Sequence, residues 1–203
     1  MTTLFCLQYD GTKPGCPPYL SGEFNHSEFE WEPLDPHAAD ATIVKDYRFR
    51  SKIKDFDCDY YGPLRLVSEQ FVSLCEALKV EHRAVPIGLS LPGGRKPTKN
   101  YFILLLRSHI SALDRDQSEY SDAADPRTGE ALKNRLYPGA HMYDRIDRFV
   151  PADIAYPALF VCIETGALFC TESLKRESEV RVLKGLKFQP IDDKYKYDPF
   201  AGL

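Results

Sequence analysis

A chain of 203 residues with 12 Tyr, 12 Phe and 43% apolar content is long and apolar enough for one sizeable core or two small lobes, which excludes a disordered chain. Its net charge of −4 argues against a nucleic-acid binder, whose phosphate contacts need a concentrated basic face. No run approaches the roughly 20 apolar residues of a membrane helix.

In chain order, Thr3–Tyr9 alternates and reads as a first strand. Its start, Met1-Thr-Thr-Leu-Phe, has no basic n-region, and the apolar run is broken by Gln8 and Asp10, so the expected location is the cytoplasm. From Asp10 to about Asp40 the chain is rich in Pro, Gly and acids and predicts an irregular surface arm, pinned to the core by Tyr19, Phe24, Phe29 and Trp31. Phe49–Tyr61 shows no period. Ser68 and Glu69 open a helix running to about Leu78, whose apolar stripe is Phe71, Val72, Leu74, Cys75 and Leu78. A strand around Arg83–Leu89, a turn over Pro92–Pro97 and the apolar run Tyr101–Arg107 make a long-looped hairpin. Residues 122–135 read as an exposed loop, with a short helix near Thr128–Leu136. Strands follow at Tyr143–Val150, Leu159–Ile163, Leu168–Cys170 and Leu186–Ile191. A second helix starts after Thr171 and stops near Gly185 as its C′ residue, and Lys194–Leu203 reads as an exposed tail.

Two stretches share a layout. Leu66–Ile87 and Leu159–Ile191 each place a hydroxyl residue and Glu at a helix start (Ser68-Glu69, Thr171-Glu172). Each has an apolar residue three positions after the hydroxyl (Phe71, Leu174), and each ends in a strand with Pro-Ile (Pro86-Ile87, Pro190-Ile191). The fold class is therefore α+β, mainly antiparallel sheet with two short capped helices in a pseudo-repeated strand–helix–strand layout. The expected organisation is an N-terminal strand and arm over residues 1–63, an α+β domain over 64–191 and a tail over 192–203.

Chemistry-bearing residues are sparse. The six cysteines form no C-x-x-C pair, and Cys75, Cys162 and Cys170 sit at apolar positions, which predicts buried free thiols. His26, His37, His82, His109 and His141 have no ligand spacing. Gly93-Gly94-Arg95-Lys96 lacks the rest of a phosphate loop and reads as a hairpin turn. Ser68 and Thr171 read as caps rather than nucleophiles. Asp114 and Asp116 invite either a metal or a turn in which Asp114 and Ser118 bond backbone amides. No catalytic, cofactor or metal set emerges. The acidic stretches around Phe29, Glu30, Trp31 and Glu32, and around Asp122 and Asp125, read either as solvated faces or as a protein-binding surface for a basic partner.

Three blocks in order carry a resemblance. Leu66-Val67-Ser68-Glu69-x-Phe71 is the first. Tyr101–Leu106 with Leu113-Asp114 and Ser118 is the second. Leu159-Phe160, Leu168-Phe169, Thr171-Glu172-x-Leu174 and Gly185-Leu186-x-Phe188 make the third. Together they resemble bacterial immunity protein family 43 and the related family 11, long known only as a domain of unknown function. Family 11 often carries Thr where Lys184 stands here. The resemblance covers roughly Leu64–Ile191. It implies a non-enzymatic, cytoplasmic antitoxin that binds and occludes a cognate polymorphic toxin domain delivered by contact-dependent inhibition or type VI secretion, with no cofactor, nucleic-acid or membrane partner. The competing expectations are a small enzyme whose site assembles from Arg107, Asp114, Ser118 and a histidine, and an adaptor of a secretion apparatus.

Overall fold

The computed structural model describes residues 2–199. The first half comprises strands β1 (Leu4–Tyr9), β2 (Gly22–Phe24), β3 (Tyr47–Ser51), β4 (Tyr60–Tyr61) and β5 (Leu66–Ser68), helix α1 (Glu69–Ala77), and strands β6 (His82–Ser90) and β7 (Tyr101–Leu106). The second comprises β8 (His109–Ile110), β9 (Glu119–Asp122), β10 (Tyr143–Arg148), β11 (Leu159–Cys162), β12 (Leu168–Thr171), helix α2 (Glu172–Val180) and β13 (Leu186–Pro190). They build a six-stranded sheet, β2-β3-β6-β7-β5-β4, a five-stranded sheet, β13-β1-β12-β11-β8, and the ribbon β9–β10. Every pair is antiparallel except β3–β6 and β8–β11, so the protein is α+β with mainly antiparallel sheet.

The two sheets share a neighbour order. Hairpin β4–β5, helix α1 and strand β6 take β7 between β5 and β6; hairpin β11–β12, helix α2 and strand β13 take β1 between β12 and β13. The registers correspond: Phe102 lies opposite Val67 and Pro86, and Phe5 opposite Cys170 and Pro190. Flanking bonds match as well. Ser68 N–H donates to Asp59 O and Thr171 N–H to Ala158 O, while Arg107 N–H donates to Glu81 O and Asp10 N–H to Gly185 O.

Alternation distributes the side chains. Tyr101, Ile103 and Leu105 enter a core under the N-terminal arm, whereas Leu104 and Leu106 meet Phe71, Leu74 and Leu174 in a core shared by both helices and both sheets. Phe71 and Leu174 are both fully buried there. The outer side of the five-stranded sheet, with Phe160 and Phe169, is covered by Tyr143, Ile146 and Tyr195. Strands covered on both sides need continuous apolar sequence, which is why β7, β11 and β12 read as apolar runs. All six cysteines are buried and free.

Several expectations change. The arm is not wholly irregular: β2 pairs with β3, and β3 joins β6 in parallel, a pairing between distant residues that no local pattern announces. Trp31 is buried as expected, but Tyr19 is 74% exposed and pins nothing. No helix forms near Thr128–Leu136; the bridges Ala124–Ala131 and Lys133–His141 extend the β9–β10 ribbon instead. The tail is partly held, with Tyr195 in the core and Tyr197 bridged to Ile146; residues 200–203 lie outside the described residues. Thr171 occupies the N-cap position of α2, yet its hydroxyl bonds Ser173 Oγ at 2.7 Å instead of a helix amide.

Gly185 is not a helix C′ residue. Both helices end earlier, in matching Schellman turns: Val80 N–H donates to Cys75 O and Leu183 N–H to Ser178 O, with Lys79 and Val182 as the left-handed residues at φ 55° and 54°. Gly185 is required for a different reason: at φ 88° a Cβ would lie 2.4 Å from Tyr60 O.

That crossing belongs to a buried polar cluster. Asp59, 1% exposed, accepts Ser68 Oγ at 2.6 Å and Lys99 Nζ at 3.0 Å on Oδ1, and Lys184 N–H at 2.8 Å on Oδ2. Asp57 binds Lys99 at 3.0 Å and Lys184 at 2.5 Å. Burial works against the Asp57 charge, but the lysine bonds outweigh it and hold its pKa below the usual carboxylate range. Ser68 Oγ also accepts Phe71 N–H at 3.3 Å, capping α1.

Asp59→Ala should cost about 3–5 kcal/mol, because it leaves the buried Ser68 hydroxyl and the Lys184 N–H without their acceptor and takes from Lys99 one of its two carboxylates; urea unfolding measures this, and a loss below about 1 kcal/mol contradicts the assignment. Val182, a β-branched residue 78% exposed in the left-handed region, gives the opposite sign: Val182→Gly should raise stability by about 1 kcal/mol, and an unchanged urea midpoint contradicts it.

Candidate functional site

Residues 27–33 of the arm curve around an open hollow of about 570 Å³. Its floor is aromatic. Phe29 stacks on Trp31 at 4.8 Å, and Trp31 meets Tyr47 edge-on at 5.2 Å. Trp31 is 8% exposed, so it builds the hollow and offers a partner little of itself; Phe29 is half-buried beside it. Glu30 is also committed to the fold. Its Oε2 accepts Val44 N–H at 3.0 Å and Lys45 N–H at 3.3 Å, and its own N–H donates to Tyr47 Oη at 3.2 Å. Glu30 therefore fastens the arm, and reversing its charge would loosen it. Glu28 and Glu32 are exposed, and neither meets a basic side chain within ion-pair distance among the described residues.

A second hollow begins at the next residue of the arm. Beyond Pro33, exposed Leu34 faces the β9–β10 ribbon across a cleft of about 150 Å³ lined also by Leu136, Tyr137, Met142 and Glu164. Leu34, Leu136 and Met142 are 50%, 38% and 41% exposed. Arm and ribbon touch where Tyr137 Oη lies 3.2 Å from Leu34 O. Glu164 closes the floor, accepting Ser111 Oγ at 2.5 Å, Ala112 N–H at 3.1 Å and the Cys162 thiol at 3.1 Å. Burial pushes the Cys162 thiol pKa well up, so it stays a donor.

His109 sets the position of Tyr137. Its Nε2 is 3.1 Å from Leu106 O and its Nδ1 is 2.6 Å from Tyr137 Oη. A carbonyl can only accept, so Nε2–H of the neutral ring donates to Leu106 O, and the single Tyr137 hydroxyl proton serves either Nδ1 or Leu34 O but not both. Burial is the main cause holding the His109 pKa below its ordinary value, and the nearby Arg65 and His37 charges act in the same direction, against Asp35 and the Leu106 bond.

The ribbon acids are satisfied locally. Asp122 pairs with Arg115 at 3.0 Å and His141 at 3.7 Å, and Arg115 lies over the Tyr120 ring. Asp125 Oδ1 accepts Arg127 N–H at 2.7 Å and Thr128 N–H at 3.3 Å, closing a turn. Of the six expected contact residues, Phe29, Glu30, Trp31 and Glu32 line one hollow, while Asp122 and Asp125 belong to the ribbon; only Glu32 is an uncommitted charge. Glu28, Leu34, Leu136, Met142 and the His109–Tyr137 pair join the face without having been singled out. The exposed Leu and Met of the Pro-rich arm and polar loop were the available signal.

Asp114 takes the turn role: Oδ1 accepts Asp116 N–H at 3.0 Å and Gln117 N–H at 3.2 Å. Among the described residues no three His, Cys, Asp or Glu side chains group as metal ligands. Arg107 pairs with Asp40, and Ser118 Oγ accepts Val150 N–H at 2.9 Å, so these residues serve separate contacts. Among the described residues no helix is long and apolar enough to cross a membrane.

No protein-family model matches the chain, and no curated protein matches it.

A histidine whose folded pKa is depressed favours folding in its neutral form. Its contribution is complete above about 6.5, the unfolded value, and is lost as pH falls through the folded pKa. Wild type should therefore lose more stability than His109→Gln between pH 7.5 and 5, measured by urea unfolding at each pH; parallel losses contradict the burial of a neutral ring.

Proposed function

We propose that the protein is an immunity protein that binds a cognate toxin domain and neutralises it by stoichiometric occlusion in the cytoplasm. The observation that carries this reading is the arm–ribbon face, where arm and ribbon meet at Leu34 and Tyr137. Free carboxylates at Glu28 and Glu32 flank an aromatic-floored hollow, and three exposed apolar side chains rim the cleft between arm and ribbon. A rigid apolar centre beside uncommitted acids suits a partner with a basic active site, such as one that handles nucleic acid or nucleotide. The resemblance of the Leu66–Phe71, Tyr101–Ser118 and Leu159–Phe188 blocks to immunity families 43 and 11 supports the same reading. Asp59, Ser68, Asp114, Ser118 and Glu164 are committed to a cap, turns and buried bonds, which suits a scaffold that works by shape and charge.

A toxin domain encoded immediately upstream would be the partner to test. Titrating its activity with this protein should give a sharp endpoint near one equivalent, with Kd in the nanomolar range or below, about −12 kcal/mol or better. Added salt should slow association. Glu28→Lys with Glu32→Lys should weaken protection and leave the urea midpoint unchanged, whereas Glu30→Lys should lower both. Protection at a small fraction of an equivalent means turnover and contradicts occlusion.

A further inference from the structure

The face that β5 and β7 turn towards the helices continues across β6 and β3, where Arg48, Arg50, Pro86 and Gly88 are exposed and no element packs among the described residues. Strand β3 alternates: Tyr47, Phe49 and Ser51 enter the core, while Arg48 and Arg50 stand on the open side. The parallel register sets Arg48 beside Gly88 and Arg50 beside Ser90. Because Gly88 has no side chain, the Arg48 stem lies over it; a Cβ there would be 3.1 Å from Arg48 Cγ. Three hollows of about 530, 490 and 410 Å³ follow one another along this strand pair, adjoining at Arg48–Gly88 and at Arg50–Ser90.

Their rims carry six cations, Lys45, Arg48, Arg50, Lys52, Arg83 and Lys96, against two carboxylates, Glu23 and Asp46. Asp46 is taken by Arg48 at 2.9 Å and Glu23 by Lys52 at 3.3 Å. Arg83 donates to Ala41 O at 2.5 Å. Lys45, Arg50 and Lys96 have no carboxylate within ion-pair distance among the described residues. On a chain of net charge −4, this is a concentrated positive trough.

We infer that the β3–β6 face is a second docking surface, and that its occupant is an extended acidic segment of a partner polypeptide with carboxylates at alternate positions. Arg48 and Arg50 are two residues apart on a strand, about 6.6 Å, which is the repeat of alternate side chains on an extended chain. Apolar Pro86 and Gly88 and the arginine stems give such a segment a floor. Four uncompensated cations, those three and Arg83, which meets only carbonyl oxygens, are few for a nucleic-acid phosphate backbone, whose binding depends on neutralising many charges. The surface is separate from the arm–ribbon face and does not rest on the function proposed for it.

The test uses the whole protein and a fluorescein-labelled (Glu-Thr)4 peptide, read by anisotropy. The peptide should bind, more weakly as salt rises, and Arg50→Glu with Lys96→Glu should weaken it by about tenfold or more. Arg127→Glu with Lys194→Glu, the same charge change on exposed residues elsewhere, should leave binding within about twofold. Circular dichroism and urea unfolding establish that both variants fold. The inference is overturned if the peptide does not bind, if both double variants weaken it equally, or if a single-stranded oligonucleotide binds and the peptide does not. It is also overturned if sedimentation shows that the trough instead joins two copies of the chain, in an association that Arg50→Glu abolishes.

Discussion

The carboxylate of Asp59 is the point through which the parts of this molecule are joined. It is almost fully buried and accepts three bonds: one from the N-cap of α1, one from Lys99 before β7, and one from the backbone of Lys184 before β13. Its own N–H donates to Lys184 O at 2.8 Å, and its carbonyl accepts Ser68 N–H at 3.0 Å. A buried charge is tolerated only when its bonds are complete, so helix start, hairpin loop and second sheet must all be in place together. The corresponding position in the second half is Ala158, whose carbonyl accepts Thr171 N–H. One half therefore carries the polar junction, and the other relies on packing.

Away from this junction each sheet has its own cover. The arm leaves β1, crosses the six-stranded sheet and is fastened by Glu30 and Trp31; the β9–β10 ribbon covers the five-stranded sheet through Tyr143 and Ile146. The two covers meet at Leu34 and Tyr137. The exposed apolar residues and free acids of the arm–ribbon face lie along that seam, where neither cover has a further layer to bury them. An interaction surface at such a seam is held rigidly by two cores while keeping its tips accessible.

The local signals were legible in the sequence. Ser68 before Glu69, the stripe Phe71–Leu78 and the run Tyr101–Leu106 gave α1 and β7 within a residue or so, and the Pro-Ile repeats marked strands that occupy corresponding registers. The end of α2 was misread because its left-handed position holds Val182 where glycine is expected, while the nearby Gly185 serves a backbone crossing. Long-range features could not be read. Strand β3 is defined by a parallel partner about 40 residues away, and Asp59 by Lys184, 125 residues on. For the candidate site, the sequence located the aromatic-acidic arm but not which acids are free. That depends on Val44 and Lys45 folding back onto Glu30, leaving Glu28 and Glu32 outside.

The central claim is that the arm–ribbon face is the surface by which the protein neutralises a partner. Hydrogen–deuterium exchange of the protein alone and with one equivalent of a toxin domain that it neutralises tests it most directly. The account predicts slowed exchange in residues 27–34 and 134–143, with the helices unchanged. A bound complex that protects other surfaces and leaves both segments exchanging as in the free protein would contradict it.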